Sequence, residues 1–535
     1  MTKFKVAAVF SDCMVLQRNK KICIFGEAES GSTVSAEITF SEDGVVKKNN
    51  AEALAKDGKW QLFLPEMKEN SDCTLLVSCG DEKKEFSDIA IGEVWLCGGQ
   101  SNMEFELQHM TGGKEHLEND NPDVRFYYTQ KKGFIDEEFL RSESMMVWKK
   151  FDPESAKCWS AVGYLFGKKL SEALGVTVGL IGCNWGGTSA SAWMCREAIL
   201  AGDGTSSYFD DFAKSIEGKS EEQQIREYEE YLAYAADWEK KYGELWQKKP
   251  GIGWDEAQKI IGPNLWPGPM GIRNPFRPTG LYDCMLKRVA PYTLAGWLFY
   301  QGESDDHKPN LYYSLFSEMI ADWRRLWNEK LPMLFVQLPG NRYETDPDYK
   351  HWCIIREAQQ KVSETVENTA MACIIDAGEF NDIHPKDKEP VGDRLYRIAM
   401  EKIYGGMDAE EAESPEPISI SFENGSAVIS YRYTGGELTL KKEADDNEGI
   451  FGFELCGADG EYVPAKAVLG EDKKSVIVTA AGVEEPKNVR YLWTNYPEKV
   501  ELYSAAGIPA RPFRTDKGDN REAAHETKIQ QIMEL

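Results

Sequence analysis

Hydrophobic positions along the chain change their spacing twice. Up to about residue 90 they come in short runs broken by turn residues: VAAVF, MVLQ, KICIFGEA, TVSAEITF, WQLFLP and CTLLVSC. Short β-rich runs punctuated this way predict a β-sandwich-like region over 1–90. Over 91–408 the runs become almost continuously apolar: IGEVWLCGG, VTVGLIG, LAGWLFY, LPMLFVQL and TAMACIID. Strands buried on both faces read like this, and here they alternate with helical segments. One such segment, AVGYLFGKKLSEALG, is amphipathic and ends at Gly175, a suitable helix C-cap. The expected fold class is therefore α/β, a doubly wound parallel sheet. Residues 220–247 interrupt the alternation, with Ile225, Tyr228, Leu232, Ala235, Tyr242 and Leu245 set among charges. That spacing predicts a long amphipathic helix within an insertion at about 200–265, either packed on the domain's flank or walling a site. Over 409–515 the runs are short again (AVISYRYTGG, LTLKK, FGFELCGADG, SVIVTA, VRYLWTNYP) and predict a second β-rich region. Residues 516–535 read as a polar tail.

Composition narrows the class. A chain of 535 residues exceeds one ordinary core, and 42% hydrophobic residues make it globular. The formal net charge of −27 sets it against nucleic acid and anionic membranes as partners. The N-terminal stretch MTKFKVAAVFSDC offers only VAAVF as an apolar run, too short for a signal peptide. The 12 cysteines are scattered, with no CxxC pair and no Cys/His spacing suited to zinc. The expectation is a cytoplasmic protein with reduced thiols, no metal and no cofactor.

Candidate chemistry appears where the apolar runs end. After IGEVWLC come Gly98, Gly99, Gln100, Ser101 and Asn102; after VTVGLIG come Asn184, Trp185, Gly186, Gly187 and Thr188. After LAGWLFY come Gln301, Gly302, Glu303 and Ser304; the loop after TAMACIID holds Asn381, Asp382 and His384. In a parallel sheet these ends share one edge, where open α/β folds bind ligands. Serine needs a base to become a nucleophile, and of six histidines only His307 and His384 follow central strands. Ser101 with His384 and a nearby carboxylate suits acyl transfer, with glycine N–H groups and the amide of Gln301 or Asn102 as oxyanion donors. Met103 stands where a G-x-S-x-G elbow needs its second glycine, which sets this chain apart from the α/β-hydrolases. Ser101 would equally serve as a helix N-cap. Glu303 reads as a buried structural acid. Asp305, Asp306 and His307 lack a fourth metal ligand at a recognisable spacing.

The motifs GGQSNM, WGGTSASAW, RPTGLYDCML, GWLFYQGESD, DIHPKDKEPVGDRLYRIA and VRYLWTNYP…ELYSAAGIPARPFRTD, in this order, resemble the sialate O-acetylesterase family of the SGNH hydrolase superfamily. The resemblance implies an SGNH-type hydrolase domain between β-rich flanks and metal-independent hydrolysis of O-acetyl esters on sugars. It places the nucleophile at Ser101, the base at His384 and the oxyanion glycine at Gly187, with Gly186 adjacent. Gln301 replaces the superfamily's asparagine. The superfamily's acid falls on Asn381, so Asp382, one residue closer to the histidine, is the acid expected here. The expected substrate is a small O-acetylated sugar, either a sialic acid or an oligosaccharide from hemicellulose. Arg273, Arg277 and Arg342 are available to a sialate's carboxylate. Two other classes compete: a non-catalytic carbohydrate-binding protein, and a glycosidase using Glu303 and Asp382.

Overall fold

The computed structural model describes residues 4–249, 252, 254–441 and 449–516. The expected polar tail thus lies outside the described residues from 517 onward.

The central feature is one long strand, Glu82–Gly99. Its first half is mostly exposed and pairs antiparallel with Asn70–Cys79; from Ile89 to Gly99 it is buried throughout. That change of pattern marks where the strand leaves a half-solvated sheet and enters one covered on both faces. The sheet it enters runs Lys149–Lys150, Val124–Tyr128, Val178–Asn184, Glu82–Gly99, Gly296–Tyr300, Met333–Gln337, Thr369–Cys373. All these pairings are parallel except that of the Lys149–Lys150 edge. The sheet is therefore mixed, at the centre of an α/β protein. Two helix pairs pack along it, Ala161–Leu174 with Glu389–Ala399 and Tyr312–Trp327 with His351–Thr365. The first of these helices starts at Ser160, whose hydroxyl accepts from the Gly163 N–H, and ends at Gly175 with φ 65°. Both ends sit where side-chain capping and a left-handed residue satisfy orphan backbone groups.

The five apolar runs of the central region all form the expected strands. Val124–Tyr128 was not expected: its sequence, VRFYY, carries an arginine whose guanidinium is buried against the carbonyls of Cys13 and Asp88. The N-terminal region and the central sheet share one buried cluster, continuous from Ile24 and Val77 through Trp95 to Trp323. The expected break at residue 90 thus falls inside a single strand. The C-terminal region forms antiparallel sheets around a separate cluster including Ile429, Val476 and Tyr491, to which Cys373 and Ile375 also belong. The helix expected around 220–247 spans Glu221–Lys248 and carries the loop 262–276 against its side: Trp238 Nε1 donates to the Gly262 carbonyl at 2.9 Å. No helix among the described residues is long and apolar enough to cross a membrane.

Candidate active site

The carboxyl end of Glu82–Gly99 is where the chain switches from building one side of the sheet to the other. Gly99 pairs with Asn184 on one neighbour and Tyr300 on the other. This is a topological switch point, and it brings together the segments beginning at Gln100, Trp185 and Gln301. The approach is close: a β-carbon on Gly99 would lie 2.1 Å from the Tyr300 carbonyl oxygen, and its φ is 127°. Only glycine fits there.

A short helix, Ser101–Glu104, follows. Its N-cap is Gln100, with no side-chain capping bond, so Ser101 is not used as a cap. Its Oγ lies 2.8 Å from His384 Nε2, the separation a nucleophile–base pair requires, across 283 positions of sequence. Burial holds the His384 imidazole below its ordinary pKa, and the Lys388 cation lowers it further; Asp382 and Glu104 pull the other way. The ring is therefore neutral, ready to accept a proton, at neutral pH.

Two backbone N–H groups lie in the segments beside this pair. A β-carbon on Gly186 would meet the Ser101 β-carbon at 3.2 Å, so the Trp185–Gly187 turn rests on the serine. The Gly186 N–H is taken by Glu104 Oε2 at 2.7 Å. The N–H groups of Ser101, at a helix start, and of Gly187 have no partner among the described residues. Gly187 has φ 76°, which glycine adopts without strain.

The two side-chain amides expected as oxyanion donors are both committed elsewhere. Gln301 is buried; its Nε2 donates to the Thr188 carbonyl (3.2 Å) and to Asp305 Oδ2 (2.6 Å), leaving no free N–H. Asn102 is buried likewise, and its Nδ2 donates to Glu303 Oε1 (2.7 Å) and to the Ile383 carbonyl (2.9 Å). Gln301 holds the glycine turn in place, and Asn102 ties the serine helix to the histidine loop. Asp305 accepts from Gln301, Ser189, Tyr208 and the Ala190 N–H, so it is a structural tie. Among the described residues no cluster of three or more His, Cys, Asp or Glu side chains is arranged to hold a metal.

Asp382 sits beside His384, but on its backbone. Its Oδ1 accepts from the His384 N–H at 2.9 Å, and no hydrogen bond or ion pair joins its carboxylate to the imidazole. The two-residue spacing is the cause: an aspartate bonds readily to the N–H two positions on, an Asx turn. Asn381, at the position of the superfamily's acid, has φ 61° and accepts from the Glu344 N–H through Oδ1, pinning a neighbouring loop.

Behind the pair lies a buried polar group that sequence reasoning missed. Lys388 is 0% exposed, and its Nζ donates to Asn102 Oδ1 at 2.6 Å, over the Phe105 ring at 4.8 Å. Burial brings its pKa down to about 7. Burial likewise pushes Glu303 up to about 7, and its Oε2 is buried without a partner. Asn102 therefore bridges a buried amine and a buried carboxyl. The lysine's spacing of four from His384 was visible, but not its burial. Of the three arginines, Arg273 pairs with Glu229, and Arg277 turns its Nη1 to the carbonyls of Gly133 and Asn274. Arg342 has no carboxylate partner among the described residues and lies over Phe380 at 5.6 Å. Its carbonyl accepts from the Asn381 N–H, so its loop abuts the histidine loop. Trp193 is fully buried core.

The chain is similar to known carbohydrate esterases. Residues 268–388 match the family described as carbohydrate esterase, sialic acid-specific acetylesterase. Sialate O-acetylesterase of Mus musculus is 24% identical over 552 residues, covering 95% of this chain and 94% of its own. The Homo sapiens protein of that name is also 24% identical, over 97% of this chain and 94% of its own. Among solved structures, XAC1771, a carbohydrate acetylesterase from Xanthomonas citri, superposes with TM-score 0.73 at 26% identity, over 96% of this chain and 99% of that one. With a serine–histidine pair at the switch point of its central sheet, the chain is a carbohydrate esterase, similar over nearly its whole length to sialate O-acetylesterases and matching the sialic acid-specific acetylesterase family over residues 268–388.

Proposed function

We propose that the chain hydrolyses O-acetyl esters on sugars through an acetyl–serine intermediate on an SGNH-type hydrolase domain flanked by β-sandwich-like regions. The observation that carries this is the 2.8 Å contact between Ser101 Oγ and His384 Nε2, beside two unpartnered backbone N–H groups.

His384 Nε2 takes the Ser101 proton as Oγ attacks the acetyl carbonyl carbon. The carbonyl oxygen becomes an oxyanion and receives the N–H groups of Ser101 and Gly187. The intermediate collapses by breaking the bond to the sugar oxygen, which takes the proton from His384 and leaves as an alcohol. Water, deprotonated by His384, attacks the acetyl–Ser101 ester; a second collapse returns the proton to Ser101 and releases acetate. Asn102, Lys388 and Gln301 act by position: they hold the serine helix, the histidine loop and the glycine turn in register. Glu303 acts by position too. A glycosidase reading would leave the Ser101–His384 contact without a use, and a non-catalytic binding role would leave the same pair idle.

The test is acetate release from acetylated sialic acids and acetylated xylo-, xyloglucan and manno-oligosaccharides. Ser101→Ala removes the nucleophile and is expected to abolish turnover while leaving thermal unfolding unchanged. A fluorophosphonate is expected to label Ser101 alone. An active alanine variant, or labelling elsewhere, overturns the mechanism. Arg342 favours an anionic sugar: Arg342→Ala is expected to raise KM for an acetylated sialic acid and leave that for a neutral acetylated sugar in place.

A further inference from the structure

The loop following the long inserted helix brings an aromatic ring to the edge of the oxyanion turn. Trp266 is 58% exposed, unusual for the largest apolar side chain. It is not loose. Its backbone N–H donates to Asn264 Oδ1 at 2.8 Å, and its ring meets Phe276 edge to face at 5.5 Å between centroids. The next residues are tied down by the fully buried Asn274, whose Nδ2 donates to the carbonyls of Pro267 and Pro269. Tyr231 of the long helix lies against Gly268.

Its position relative to the chemistry follows from two contacts. A β-carbon on Gly187 would lie 2.4 Å from the Trp266 ring, so the indole rests directly on that glycine. Gly186 rests in turn on Ser101. Ser101, Gly186, Gly187 and Trp266 form one contiguous surface. An ester whose acyl carbon lies at Ser101 beside the Gly186–Gly187 turn has the Trp266 indole at the border of the space left for its alcohol portion. An acetyl group is too small to reach the ring; the alcohol is not.

We propose that Trp266 is the platform for the sugar ring of the leaving alcohol, stacking against the apolar C–H face of a pyranose. This rests on the acetylesterase reading above and adds the residue that selects a sugar over other alcohols. A pyranose presents a face of C–H groups and a rim of hydroxyls, which matches a rigid, half-exposed aromatic face bordered by polar groups. Because Asn264 and Asn274 hold the loop backbone on either side and Phe276 and Gly187 pack on the ring, little ordering remains to oppose binding. The inserted helix is the prop that holds this loop over the site.

The experiment compares kcat/KM for an acetylated methyl pyranoside and for ethyl acetate, in the wild type, Trp266→Ala and Trp266→Phe. Ethyl acetate offers the same acetyl group with no ring to stack. In the alanine variant the ratio of sugar-ester to alkyl-ester efficiency is expected to fall about tenfold, chiefly through KM, with phenylalanine restoring part of it. An equal loss on both esters would mean that Trp266 only braces Gly187 and would overturn the proposal, as would an unchanged ratio. A wild-type dimer that dissociates in Trp266→Ala with the ratio preserved would assign the ring to self-association instead. A wild type that turns over ethyl acetate but no acetylated sugar would overturn the acetylesterase reading itself, and the platform with it.

Discussion

Replacing Asp382 by asparagine separates two ways of orienting a histidine. In a strict triad the buried carboxylate bonds the imidazole Nδ1–H, and converting it to an amide lowers turnover by about 10⁴, or roughly 5 kcal/mol. Here Asp382 Oδ1 instead accepts from the His384 backbone N–H at 2.9 Å. Asparagine presents the same acceptor, so the Asx turn survives. The difference between a charge-assisted and a neutral bond is about 1 kcal/mol. What is lost besides is the negative charge that favours the imidazolium in the transition state. Asp382 is half-buried and makes no ion pair with the ring. Two charges at 4 Å interact by about 1 kcal/mol in water and about 4 at an effective dielectric of 20, so this more distant, partly solvated carboxylate contributes roughly 1–2 kcal/mol. The total, roughly 2–3 kcal/mol, predicts a loss of about 30- to 150-fold in kcat/KM. The assay is acetate release at saturating and limiting substrate, with Asn381→Ala as a control for loop disturbance. A loss of about 10³ or more in Asp382→Asn alone would show that the carboxylate reaches the ring during turnover and would refute the backbone-orientation argument.

Other outcomes follow from the same geometry. The rate is expected to fall on the acid side with a midpoint below the ordinary histidine value of 6.5, because burial and Lys388 disfavour the imidazolium that inactivates the base. Lys388→Met removes the cation and is expected to move that midpoint upward; a downward move or none would refute Lys388's part in it. Gln301→Ala strips the buried Asp305 carboxylate of one donor, and is expected to reduce unfolding stability by about 2–3 kcal/mol in a urea titration. A large loss of kcat with unchanged stability would instead make Gln301 an oxyanion donor. Prolonged EDTA treatment is expected to leave the rate unchanged, and loss restored by zinc would refute the serine mechanism.

The strands at the sheet's centre could be read because each is a continuous apolar run followed at once by glycine and polar residues. The meeting of Ser101 and His384 could be read because parallel strands place such segments on one edge. What a side chain does once there could not. Asn102 and Gln301 look like free amides in the sequence, and only tertiary neighbours, Glu303 and Ile383 for one, Thr188 and Asp305 for the other, take up their hydrogens. Asp382 reads as a triad acid until the Asx turn is seen. Val124–Tyr128 was hidden by its arginine, whose burial is compensated by carbonyls remote in sequence. Trp266 lies in a stretch rich in proline and glycine whose path depends on the long helix behind it.

The strand Glu82–Gly99 gives the N-terminal region an unusual mechanical status. Modules joined by linkers diffuse about one another, and their cooperation depends on linker length through an effective concentration. Here no linker intervenes: the backbone that forms a rib of the first sheet continues as one strand, with an irregularity at Ser87–Asp88, for 18 residues to Gly99, two positions before Ser101. At about 3.3 Å per residue such a strand is a strut of roughly 60 Å. A load applied at Glu82 is borne in shear by the ladders to Asn70–Cys79 and then to Val178–Asn184. Excising the first 81 residues would therefore not release an independent catalytic unit. It would leave residues 82–92 without their partner strands, an edge exposed to pairing with other chains.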